Sequence, residues 1–326
     1  MKEKLVYISN ARIIGILLVV FGHSYPLTGE IPKVLDTVRN FIYCFHMPLF
    51  VFISGYLVSK TGSVQKYGSK QYIQKRLIKL FVPYLGLSIL GFFPKILMSG
   101  FINDEVELSF TYFVRTLFVP RENVWGHFWF IPMLFVMAAV SVFYVNLIKS
   151  KKLAIAICIL AFALIFIPST TNWLGINDIK NYLFWYMIGL VMGDTDIITR
   201  YKSLAMSIIC MACGVLIFIA CGNRAYNPVV AVFMLVGIVL LCMHMNLEKV
   251  SILNTIGKHS FSIFLLSWPA QVVIEVVGNR ILHLPVVINT TMMFCTGILI
   301  PLFIVFVVKR LENIPFVKKI EVLLGM

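Results

Sequence analysis

Ala11-Arg12-Ile13-Ile14-Gly15-Ile16-Leu17-Leu18-Val19-Val20-Phe21-Gly22-His23-Ser24 is apolar except for its last residue and two ionisable side chains, Arg12 and His23. A bilayer core takes about 20 such residues at 1.5 Å rise each. Reading outward from this run, apolar stretches near that length recur through the chain, and ten spans are expected. They lie approximately at residues 11–27, 38–59, 77–98, 128–148, 153–167, 181–193, 204–221, 229–246, 261–277 and 286–308. The composition agrees: 60% of residues are hydrophobic and 13% charged, whereas soluble domains carry about 25% charged residues. The expected fold is an all-α, polytopic membrane helical bundle with about ten transmembrane helices. It is read as one domain over 1–326, with 100–126 as an outer re-entrant or surface loop holding an amphipathic stretch at 110–118.

Orientation follows from Lys and Arg in the short loops. With the N-terminus inside, the outer segments hold only Lys33, Arg39, Lys95, Arg115, Arg121, Lys180, Arg224 and Arg280, which leaves 20 of the 28 basic residues on the cytoplasmic side. Both termini are therefore expected in the cytoplasm, in a multi-pass protein of the cell membrane. The net charge of +14 is accounted for by topology and anionic headgroups, so no nucleic-acid partner is expected. The seven cysteines lie in apolar runs and read as small packed residues. Cys210 and Cys213 form a C-x-x-C without a second ligand pair, and no metal site is expected. The basic start at residues 1–12 is followed by no small-residue cleavage site, which favours an uncleaved first helix. No internal repeat is evident, which disfavours transporter folds built from duplicated halves.

An ionisable group in a bilayer costs about 2.5–3.5 kcal/mol on insertion scales, so each one calls for a reason. Arg12 and His23 are eleven residues apart, close to three helical turns, and project from one face about 16 Å apart along the axis. Taken alone, Arg12 could be a snorkelling anchor and His23 a packed histidine. Phe45-His46-Met47-Pro48 changes that balance, because His46 meets the antiparallel first helix at a depth comparable with His23. Pro48 cannot donate its backbone hydrogen bond and is expected to kink the helix near His46. Lys75-Arg76-Leu77-Ile78-Lys79 opens the third span. Arg76 and Lys79, three apart, would share a helical face, either as topogenic charge or as a clamp for a phosphorylated cytoplasmic molecule.

These residues resemble the integral-membrane acyltransferase family 3, including its short fucose-acetylase-like and exopolysaccharide-acetylating members. The resemblance is carried by Arg12 to His23 as R-x10-H, by Phe45-His46-Met47-Pro48-Leu49-Phe50-Val51-Phe52-Ile53-Ser54-Gly55-Tyr56-Leu57, and by the basic pair before Pro83-Tyr84. That pair is similar to an R-x-x-R element with Lys79 in place of the second arginine, which keeps charge but loses the bidentate fork. Phe128-Trp129-Phe130-Ile131 is similar to the family's W-F element. In Gly257-Lys258-His259-Ser260-Phe261-Ser262-Ile263-Phe264-Leu265-Leu266-Ser267, the last position is often histidine in the family, and here it is Ser267.

The resemblance implies transfer of an acyl group, usually acetyl from acetyl-CoA, to a sugar hydroxyl of an envelope or exported polysaccharide. On that reading Arg76, Lys79 and Arg12 hold the donor's phosphates. His23 is general base or transient acyl carrier, and His46 orients it or shares the proton. The expected partners are then the lipid bilayer, an acyl-CoA and a saccharide acceptor. The rival reading is a transporter or flippase for a saccharide or lipid-linked intermediate, with the histidines as proton relays. The topology is testable by cysteine labelling. Residues 62–71 should react only from the cytoplasmic side and residues 103–108 only from outside; labelling of both from one side would overturn the orientation.

Overall fold

The computed structural model describes residues 5–26, 31–98, 109–169, 171–195 and 197–326. The C-terminal residue of the first expected span, Leu27, and the outer segment 103–108 lie outside the described residues. Among those described, the regular structure is entirely helical. The principal helices are α1 (Val6–Gly22), α2 (Lys33–Lys60), α3 (Ser63–Tyr67), α4 (Ser69–Arg76), α5 (Val82–Met98), α6 (Phe110–Phe118), α7 (Phe130–Leu147) and α8 (Lys151–Leu164). They continue with α9 (Ile176–Asp194), α10 (Ile197–Arg200), α11 (Leu204–Ala220), α12 (Pro228–Cys242), α13 (Ser251–Lys258), α14 (Ser260–Glu275), α15 (Val286–Arg310) and α16 (Pro315–Leu323).

Each of the ten expected spans overlaps a helix; the first helix lies earlier than expected, starting at Val6 and ending at Gly22, so that His23 falls just beyond it. Lys33–Lys60, Gly126–Leu147, Ser260–Asn279 and Val286–Arg310 are long and apolar enough to cross a bilayer, and Val6–Gly22, Leu204–Ala220 and Pro228–Cys242 are shorter apolar helices. Ile155, Leu160 and Phe303 stand more than 60% exposed on α8 and α15. Side chains of that kind on an outer face suit lipid and not water. The stretch 110–118 forms α6, with Ser109 at its N-cap accepting a hydrogen bond from the Tyr112 N–H at 3.0 Å. Such a cap satisfies one of the amide donors that every helix start leaves over.

The chain divides into two compact units, Met1–Ile53 with Asp196–Val305, and Ser54–Thr195 with Phe306–Met326. In the first unit α1 packs against α12, α13 and α14. Asn10, fully buried on α1, donates to the carbonyls of Cys242 (2.9 Å) and Met245 (2.7 Å) and accepts from the Leu247 N–H (3.1 Å). One buried amide thus satisfies three backbone groups where α12 ends. In the same unit Ser207 on α11 donates to the Gly237 carbonyl of α12 at 2.7 Å.

The second unit joins α4 to α5 through a π-helical turn at Leu77–Phe81. Here α7 and α8 both pack against α9, and α16 against α5. The C-terminal half of α2 meets α9 at two glycines. A Cβ on Gly55 would stand 2.2 Å from the Tyr186 carbonyl oxygen, and one on Gly193 would stand 2.4 Å from that of Tyr56. Backbone-to-backbone approach of this kind is how membrane helices gain contact when no hydrophobic drive separates helix from lipid. Gly55→Ala must therefore separate α2 from α9. It should lower thermal stability in detergent by about 1–3 kcal/mol, the cost of overpacking, as read by the melting midpoint of the purified protein.

Candidate active site

α1 runs out at Gly22, and His23 follows as its C-cap with φ −105° and ψ 1°. The His23 N–H still reaches back to the carbonyls of Val19 and Val20, each at 3.2 Å. The imidazole is half-buried between two aromatic rings. Trp268 of α14 meets it edge-on with centroids 5.3 Å apart, and Tyr43 of α2 lies at 6.2 Å. The Tyr43 ring in turn lies 5.1 Å from that of His46. Tyr43 is therefore a ring neighbour of both histidines, and its hydroxyl donates to the Gly22 carbonyl at 2.7 Å. A Cβ on Gly22 would sit 3.0 Å from the Tyr43 ring, so the glycine lets the second helix come close.

His46 is 4% exposed. Its Nδ1 lies 2.8 Å from the Ile42 carbonyl oxygen. A carbonyl can only accept, so Nδ1 carries the hydrogen, and a neutral His46 keeps its lone pair on Nε2. Pro48 lies within α2, which continues through it to Lys60; its missing N–H is the one that would have bonded the Cys44 carbonyl.

Arg12 is half-buried on α1, about 16 Å along the helix from His23. The opposite charge that acts on it is Glu248, on the short turn Leu247–Lys249 that packs against α1. Arg12 thus lies towards the middle of α1 and His23 at its C-terminal end, with different surroundings, and of the two only His23 joins the aromatic cluster.

Arg76 and Lys79 belong to the second unit. The π-helical turn begins directly after Arg76. A π turn closes i→i+5 and is wider than an α turn, so the i, i+3 spacing rule of an α-helix does not carry over unchanged to these two residues. Arg76 is half-buried with its guanidinium 5.2 Å from the centre of the Tyr72 ring, while Lys79 is exposed. Lys75 places its ammonium 3.5 Å from the centre of the Tyr67 ring.

Several residues at these sites escaped the sequence reading. Tyr43 sits three positions before His46, a spacing that shares a helix face and could have identified it. Trp268 follows Ser267, so the side chain brought against His23 comes from the position after the buried serine. In the second unit Arg121, read only as an outer charge, forks onto Asp178 with contacts of 2.9, 3.2 and 2.5 Å. Its guanidinium lies 4.4 Å from the centre of the Trp129 ring, and Trp129 is 5.3 Å from Tyr182. Trp129 is the tryptophan of the W-F element; Arg121 reaches it from eight residues earlier, across non-α-helical turns, and Tyr182 from α9.

The acyltransferase domain family matches residues 5–310. The chain belongs to this acyltransferase family. It is 25% identical over 297 residues to the inner membrane protein YcfT of Escherichia coli, covering 81% of this chain and 79% of that protein. It is 27% identical over 235 residues to the nodulation protein NolL of Mesorhizobium japonicum (68% of this chain, 58% of the relative). To the NolL of Sinorhizobium fredii it is 29% identical over 238 residues (67% and 58%). The acyltransferase thus spans a little over half the length of the nodulation proteins it matches. No solved structure matches it.

An acyltransferase needs an acyl donor. Lys75, Arg76 and Lys79 lie within five residues of one another in the helical segment 69–98, Lys75 and Lys79 exposed and Arg76 half-buried. Asp178, whose side chain is 3% exposed, depends on Arg121 for neutralisation. Arg121→Leu should cost about 1–3 kcal/mol of stability by leaving that carboxylate unpaired, and adding Asp178→Asn should recover part of it in the same thermal-melt assay.

Proposed function

We propose that this acyltransferase transfers acetyl from cytoplasmic acetyl-CoA to a sugar hydroxyl of a cell-envelope or exported polysaccharide, with His23 as general base or transient acyl carrier. The observation that carries the proposal is the cluster of His23, Tyr43, His46 and Trp268, where two imidazoles share one tyrosine neighbour at the end of α1. The inner-membrane location in the name of the Escherichia coli relative supports a multi-pass protein of the cell membrane, and the Lys and Arg asymmetry supports cytoplasmic termini. The whole chain is read as one acyltransferase domain, with α6 lying in its outer loop.

A sugar hydroxyl is a weak nucleophile at neutral pH, and a positioned base contributes about 10²–10⁴-fold. As general base, His23 would take the proton of the acceptor hydroxyl as its oxygen bonds the acyl carbon and the thioester C–S bond breaks, and would pass that proton to the departing thiolate. As a carrier it would instead hold the acyl group on a ring nitrogen before passing it to the hydroxyl oxygen. Tyr43 orients His23 through its ring and holds the chain end through Gly22. His46, anchored by its own hydrogen bond to Ile42, is suited to orient the pair or share the proton. Arg76, Lys79 and Arg12 are the cations proposed to hold the donor's phosphates. An acyl-CoA, when bound, supplies the activated thioester carbonyl.

Aromatic rings beside histidine also suit the saccharide, because an apolar sugar face packs on an aromatic ring while its hydroxyls seek polar partners. The test is acetylated product per folded molecule in His23→Ala and His23→Gln. Both should insert normally and lose at least about 10²-fold in transfer, with His46→Ala impaired less. Arg76→Ala should mainly raise the KM for acetyl-CoA. Near wild-type turnover in both His23 variants would overturn the assignment.

A further inference from the structure

The Val20 carbonyl, one turn from the end of α1, collects three donors: the His23 N–H at 3.2 Å, the Ser24 hydroxyl at 2.7 Å and the Gln271 side-chain amide at 2.8 Å. Gln271 reaches it across from α14 and is fully buried. The same Nε2 also donates to Ser24 Oγ at 2.8 Å. Turning the amide over would set oxygen against oxygen at Val20, so the hydrogen-bond network itself selects this orientation. The remaining atom, Gln271 Oε1, is buried and lacks a hydrogen-bond partner. An apolar residue of the same shape would avoid that orphan, so packing alone does not explain a glutamine here.

The two residues linked to Gln271 by these bonds flank His23 in sequence or hold its amide. Three positions earlier on α14, and therefore on the same face, Trp268 lies edge-on to the imidazole. One face of α14 thus supports His23 twice, by a ring against its side chain and by an amide on the turn that carries it. Gly297 of α15 closes behind the glutamine, where a Cβ would come within 3.0 Å of Gln271 Cγ and Cδ, and this leaves the side chain little freedom.

We propose that Gln271 is a positioning residue for the reaction, holding the last turn of α1 so that His23 meets the acceptor hydroxyl in reactive geometry. The proposal rests on reading His23 as the base or carrier. Misplacement of a reacting group by about 1 Å can cost on the order of 10²-fold. Such a loss falls on turnover and leaves donor binding alone.

The experiment measures kcat and the KM for acetyl-CoA in Gln271→Met and Ser24→Ala, each alone and combined with His23→Ala, on purified protein checked for its thermal midpoint. Gln271→Met keeps the length and removes both bonds, and is expected to lower kcat by about 10–10²-fold with KM within twofold of wild type. Ser24→Ala removes one atom, keeps the Gln271 bond to Val20, and should lower kcat about threefold or more; it keeps the test decisive if Gln271→Met folds poorly. In the His23→Ala background neither change should lower the residual rate further, because residues acting through one group are not additive. Wild-type kcat in both variants, or an equal proportional loss with and without His23, would overturn the positioning role while leaving the assignment of His23 intact. High turnover in His23→Ala alone would remove the assignment and the positioning role together.

Discussion

A backbone carbonyl in the final turn of a helix has no intrahelical amide left to satisfy it, and inside a bilayer no water replaces one. The end of α1 is organised by that constraint. The Val20 carbonyl is met from its own chain by His23 and Ser24 and from α14 by Gln271, while the Gly22 carbonyl is met by Tyr43 from α2. Backbone that would otherwise be a liability becomes the attachment point for two other helices. His23 is the residue at which they converge.

Elsewhere in the first unit the same physics recurs with different residues. Asn10 ties α1 to the end of α12, and Ser207 ties α11 to α12. In the second unit the close contact between α2 and α9 is steric, made at Gly55 and Gly193. Polar side chains bond backbone carbonyls of a neighbouring helix, at its end for Asn10 and within it for Ser207, and glycines act where backbones must touch. Both are expected where lipid is as apolar as the side chains and cannot drive helices together.

Much of this was legible in the sequence because membrane helices announce themselves by length and apolarity. The boundaries of α11 and the amphipathic α6 needed nothing beyond that. The early start of α9 at Ile176 was missed because Asn177 and Asp178 are polar, yet both are buried in the structure, Asp178 against Arg121. Arg12, His23, His46 and Arg76 stood out as ionisable groups near or within apolar runs. Tyr43, Trp268 and Gln271 did not, because neutral aromatic and amide residues carry no such penalty. Gln271 lies 251 positions from the carbonyl it serves, a separation over which periodicity is silent. The π turn at Leu77–Phe81 was also invisible, since its residues are as apolar, apart from Lys79, as those of an ordinary span.

That turn has a consequence for how the rod 69–98 is phased. A π turn accommodates one residue more than the α-helix would, and each residue of an α-helix advances the azimuth by about 100°. The segment carrying Arg76 is therefore offset by roughly that angle from the face an unbroken helix would give it relative to α5. The cationic end and the apolar shaft are indexed separately, like two sleeves on one axle. Tyr72 can support Arg76 from beneath while α5 turns its own small residue, Gly86, to Leu323 of α16. Losing a single residue from 77–81 would restore a regular helix and swing one sleeve against the other, with the composition of both left untouched.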